Sequence, residues 1–165
     1  MNLRSTHLRL TVPLIAVAAV AAPLAVAGSV GTDSGKQRIA IEEKSTLGAP
    51  SGTFRLIPLT GGPLKADSGT FTFSATQTPT VVRDGQTVTT YRAVDTLKGK
   101  LGTLKIPSVS NVSAAGGGFF ALGGPWSVGS GSGAYAGLRG GGRGSGVGTP
   151  KGVALTRYEG YLVAP

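Results

Sequence analysis

Few side chains in this sequence are of a type and phase to do chemistry. Asp95 falls in step with Tyr91, Ala93 and Leu97 in an alternating run, and Glu43 falls in step with Ile39 and Ile41. A carboxyl group on an apolar strand face is costly unless it is hydrogen-bonded or paired. Such a group can hold the polar head of a ligand or serve as an acid/base. Asp95, Glu43 and Tyr91 are therefore the catalytic candidates. The candidates for ligand contact are Tyr91, Arg157, Glu159 and Trp126, the one tryptophan of the chain. Trp126 also suits a core position or a plug at the end of a barrel. Arg157 and Glu159 are in phase with Val153, Leu155, Tyr161 and Val163, but Ala154, Tyr158, Gly160 and Leu162 make an equally good inner face. On an inner face Arg157 and Glu159 would meet a ligand. On an outer face they would form a surface bridge worth about 0–1 kcal/mol.

The chemistry is narrowed further by what is missing. The chain has no Cys, and its one His and one Met, His7 and Met1, lie in the first 27 residues. From Gly28 onward there is neither a Ser-His-Asp triad, a Cys nucleophile, a disulfide, nor a His or Cys zinc ligand. No Gly-Lys-Ser/Thr triplet occurs for phosphate. The sequence predicts no metal site and no cofactor.

The elements that must position these groups read as strands. Phe71, Phe73 and Ala75 alternate with Thr70, Thr72, Ser74 and Thr76. Asp84-Gly85 is a tight-turn pair between two Thr/Val runs. After Gly28 no window has a helical period. Eight strands are predicted, near 37–44, 52–59, 68–78, 86–97, 100–107, 118–129, 140–148 and 153–163. This spacing suits an all-β barrel or sandwich. The last strand is apolar on both faces and is expected to be covered on both sides.

Between Gly116 and Gly148, 15 of 33 residues are glycine, with Phe119, Phe120, Trp126, Tyr135 and Leu138 set among them. Large side chains among glycines indicate tight turns and close backbone approach. No helix pattern follows Gly144, so a nucleotide-binding loop is disfavoured. The stretch from Trp126 through Gly131-Ser132-Gly133-Ala134-Tyr135 to Gly140-Gly141-Gly142 resembles the late signature of the allene oxide cyclase/dirigent barrel superfamily. In that family a strand leads into a Gly-Thr-Gly-aromatic turn and then a glycine-rich strand. Ser132 stands here where Thr is common, and Tyr158-Glu159-Gly160-Tyr161-Leu162 suits the closing strand. The resemblance implies a closed, eight-stranded antiparallel, calycin-like barrel, often secreted and often oligomeric. Plant members of that family steer cyclisation or radical coupling inside the barrel, and the Ala- and Gly-heavy composition here points to a bacterial member.

Sixteen Lys and Arg against seven Asp and Glu give a net charge of +9. The basic residues are scattered and never adjacent, which predicts a solvated positive surface and no nucleic-acid partner. Arg4, His7 and Arg9 precede an apolar stretch from Leu10 to Val20, and Ala25-Val26-Ala27 offers a cleavage site before Gly28. The run is short for a bilayer and is broken by Pro13 and Pro23. The expected organisation is a cleaved signal peptide over 1–27, a lead-in over 28–36 and a barrel over 37–165. That makes the protein secreted and extracellular, with no stable membrane anchor after cleavage. A small apolar ligand and a second copy of the chain are the partners this reading admits. The leading expectation is a binding barrel without catalysis of its own. The alternatives are a cyclase- or isomerase-like enzyme and a wall- or matrix-associated protein held by its charge.

Overall fold

Alternation of apolar and polar residues recurs from Gln37 onward, and this part of the chain folds as a cylinder of strands. The structure, a computed structural model, describes residues 35–165. The export segment expected over 1–27 lies outside the described residues. The strands are β1 (Lys36–Thr46), β2 (Ser51–Pro58), β3 (Asp67–Gln77), β4 (Val81–Arg83), β5 (Gln86–Gly99), β6 (Thr103–Ala114), β7 (Phe120–Ser127), β8 (Ser130–Gly131), β9 (Arg139–Gly148) and β10 (Val153–Val163), with one 3-10 turn at Gly133–Tyr135. Every pairing is antiparallel. Strands β1, β2, β3, β5, β6, β7, β9 and β10 form a closed ring of eight, sealed where β5 pairs with β6 and β10 with β1. Closure leaves no long unpaired sheet edge. The short β4 hairpins onto β5 through Asp84 and Gly85, both at positive φ as a two-residue hairpin turn requires.

Two expectations need correction. β6 does not stop near 107 but runs to Ala114. Ser108 and Ser110 interrupt its apolar alternation yet keep the inward phase, because they line a cavity. Nor is β10 covered on both sides. Its outer residues Leu155 and Tyr161 are 43% and 49% exposed, since among the described residues no element packs on the outside of the cylinder there.

One end of the barrel is filled. Ile39, Leu56, Leu97, Leu104 and Leu162 pack inward, with Leu64, Tyr135 and Leu138 buried against them. Full burial of each aliphatic side chain contributes about 1.5–3 kcal/mol. Two buried polar residues fasten the loops that close this end. Gln37 donates from Nε2 to the carbonyls of Thr60 and Leu64 and accepts from the Leu64 N–H. Asp67 accepts from the Tyr135 hydroxyl at 2.8 Å and from the N–H groups of Lys100 and Leu101. Burial alone would raise the Asp67 carboxyl. These donors outweigh it and hold the group below its ordinary value.

Candidate functional site

Toward the other end a cavity of about 470 Å³ opens. Glycine on β9 makes room for the side chains that surround it. Its inward positions 140, 142, 144, 146 and 148 all lack a side chain, as the pairings Trp126 with Gly142 and Tyr158 with Gly144 show. Aromatic rings from the flanking strands lie across the vacated surface. A Cβ on Gly144 would sit 2.6 Å from Cδ1 of Tyr158. Trp126 packs edge-on to Tyr158 with ring centroids 6.1 Å apart, and its Nε1–H donates to the Glu159 carbonyl at 3.2 Å.

The cavity walls are largely apolar and include Phe71, Phe73, Val112, Phe120 and Leu122. At its rim Leu47 and Phe120 are exposed. At its base lie Glu43, Asp95 and Tyr158, which are 6%, 4% and 6% exposed. The Tyr158 hydroxyl donates to Asp95 Oδ2 at 2.9 Å. Glu43 Oε1 is buried and has no hydrogen-bond partner. Burial, reinforced by the charge of Asp95, pushes the Glu43 carboxyl up to about 9. Burial also pushes Asp95 up, to about 6, against the opposing effect of the Tyr158 bond. Burial raises the Tyr158 phenol above its ordinary range, with the two carboxyl groups adding to the effect. At neutral pH Glu43 is therefore the protonated acid and Asp95 the hydrogen-bonded carboxylate. Two carboxyl groups with proton affinities pushed apart can divide acid and base roles, and they can equally anchor a polar head.

Comparison with protein-family models, curated proteins and solved structures finds no match. Of the barrel and sandwich that the strand spacing allowed, the closed antiparallel barrel is the one present, and a fold alone does not fix an activity.

The sequence candidates separate clearly. Glu43, Asp95 and Tyr91 all line the cavity. Tyr91 sits nearer the mouth, where its hydroxyl donates to Gln77 Oε1 at 3.3 Å. Trp126 is a core residue that supports Tyr158 and is not part of the cavity wall. Arg157 and Glu159 do not face inward. Tyr158 and Leu162 hold that phase, so the other facing of the last strand is the one adopted. Outside, Arg157 bridges Glu42 and Glu159, with 2.7 Å from its Nε to Glu159 Oε1. The bond to Glu159 leads in raising the guanidinium further above its ordinary value. A second hollow of about 500 Å³ is lined by Glu42, Glu43, Arg55 and Arg157 among others, but its outer carboxylate, Glu42, is already engaged by Arg55 and Arg157.

Sequence reasoning did not single out Tyr158 as a functional residue. Its phase with Leu162 was the available signal, and it could not be weighed against the equally apolar opposite face.

Proposed function

We propose that the protein is a secreted, allene oxide cyclase/dirigent-like barrel that binds one small, largely apolar molecule. The molecule enters end-on, and its polar group reaches Glu43, Asp95 and Tyr158. The observation that carries this reading is the largely apolar, aromatic-walled cavity of about 470 Å³ whose most buried lining groups are polar. This volume lies in the about 300–1,000 Å³ range of small-molecule sites. An apolar body gains by leaving water, and the few polar groups orient it.

The neutral solvatochromic dye prodan tests the reading. It should bind saturably with a blue-shifted emission, and Ala93→Trp, which fills the cavity, should abolish binding while the far-UV spectrum keeps its strand signature. Absence of saturable binding, or binding unaffected by Ala93→Trp, overturns it. N-terminal sequencing of the exported protein tests the secreted part. The expected first residue is Gly28, and a product beginning at Met1 refutes it.

The separated proton affinities of Glu43 and Asp95 favour a second, catalytic reading, in which the cavity orients a reactive chain for ring closure or isomerisation. A turned-over ligand would then show a bell-shaped rate profile, rising near pH 6 as Asp95 ionises and falling near pH 9 as Glu43 does. Asp95→Asn would abolish turnover. An unchanged rate in that variant removes the catalytic reading.

A further inference from the structure

We infer that the molecule held in the barrel is an apolar amine, bound as its ammonium ion against Glu43 and Asp95. This rests on the cavity reading above and goes beyond it by naming the head group.

The first support is the composition of the wall. Among the described residues, the lining includes two carboxyl groups and hydroxyl groups, but no Lys, Arg or His. The outer surface is basic while the cavity base is acidic, so the sign of charge reverses from outside to inside. Beyond a Debye length of about 8 Å the outer charges are screened, and inside the low-dielectric barrel the carboxyl groups dominate.

The second support is the unfilled acceptor. Glu43 Oε1 is buried without a donor. Asp95 accepts the Tyr158 hydroxyl on Oδ2, and a carboxylate has lone pairs for further donors. An ammonium group brings three N–H donors and no acceptor. It can satisfy Glu43 and Asp95 together.

Charge balance then separates the ligand classes. With Asp95 ionised and Glu43 protonated, the cavity holds one negative charge and no countercharge among its lining side chains. An ammonium neutralises that charge. An alcohol leaves it uncompensated, and a carboxylate adds a like charge beside buried carboxyl groups. The aromatic residues Phe71, Phe73, Tyr91 and Phe120 complete the fit. They receive the apolar body, and rings near the head group attract a cation.

Binding of the ammonium favours the ionised form of Glu43. The titratable groups facing the cavity with it are Asp95 and Tyr91 from β5 and Tyr158 from β10. Of these, Glu43 is the one with a proton to release near neutral pH. Because the ammonium offsets the Asp95 charge that helps to raise Glu43, amine binding is coupled to release of a fraction of a proton.

The test uses the whole secreted chain at neutral pH with three probes of one body: phenylbutylamine, phenylbutanol and phenylbutyrate. Calorimetry in buffers of different ionisation enthalpy reads affinity and proton release together. The amine should bind about tenfold or more tighter than the alcohol, with the carboxylate weakest and protons released only by the amine. Asp95→Asn should erase most of that preference, read as the ratio of amine to alcohol affinity, and Glu43→Gln should erase the proton release. An alcohol that matches or exceeds the amine overturns the inference. So does a preference that survives Asp95→Asn in folded protein. Failure of the amine to bind overturns it as well, even if prodan still binds. Loss of prodan binding too would overturn the cavity reading itself.

Discussion

The Tyr158 hydroxyl on β10 crosses the barrel interior to bond Asp95 on β5, 2.9 Å away. The two strands are diametrically opposed in the ring, with β1, β2 and β3 between them on one side and β6, β7 and β9 on the other. The bond is thus a crossbeam. It separates the packed end from the cavity, and it supplies the donor that keeps a buried Asp95 from being raised further.

Tyr158→Phe removes that donor. At neutral pH it should cost about 1–3 kcal/mol, the usual penalty for stripping a buried polar group of its partner. Asp95 should then titrate higher than before. Near pH 4, where Asp95 carries a proton in the native state, the loss should shrink. Urea denaturation at both pH values checks this. Equal losses would assign the effect to ring packing alone.

Glu43→Gln should stabilise the protein in alkali and not in acid. Between the ordinary carboxyl value of 4.5 and about 9, the unfolded chain has released the Glu43 proton while the native state retains it. The native state binds more protons, so wild-type stability falls as pH rises through this window. The amide carries no such dependence. Near pH 8 the variant should gain on the order of 1–3 kcal/mol, with each kcal/mol worth about 4 °C in Tm for a domain of this size. Thermal melts across pH check the crossover. A variant less stable than wild type in alkali would contradict the buried, unpartnered acid.

Gly144→Ala should loosen the same base from behind. The added methyl meets the Tyr158 ring at 2.6 and 2.7 Å, so the ring must shift toward the cavity. Overpacking of this kind costs about 1–3 kcal/mol. The variant should also lose prodan affinity, since the shifted ring takes up cavity space. Unchanged stability and binding would show that the glycine-rich strand is not what makes room.

Arg157→Ala, on the outer face, should change stability by less than about 1 kcal/mol, because its bridges to Glu42 and Glu159 are solvent-exposed and screened. Ligand affinity should not move. A large loss of binding would mean that the outer charges reach the site.

Alternation alone was enough to place most strands, because period-two patterning is a local property that each segment carries by itself. Phe71 and Phe73 read inward from their own neighbours, and so did Glu43 and Asp95. The glycine-rich block could be read as a place of close approach for the same local reason. Three features were not local. The second half of β6 is a cavity wall, and its inward serines look like loop until a cavity exists for them to line. The facing of β10 depends on register with β1, where Ile41 pairs with Tyr158. Its two faces are equally apolar, so nothing within the strand chooses between them. The acid–phenol base is assembled from β1, β5 and β10 only when the ring closes. Residue type and phase thus determined which groups could point inward. Closure of the barrel decided which of them meet, because contact across a cylinder is set by the whole circuit of strand pairings and by no single strand.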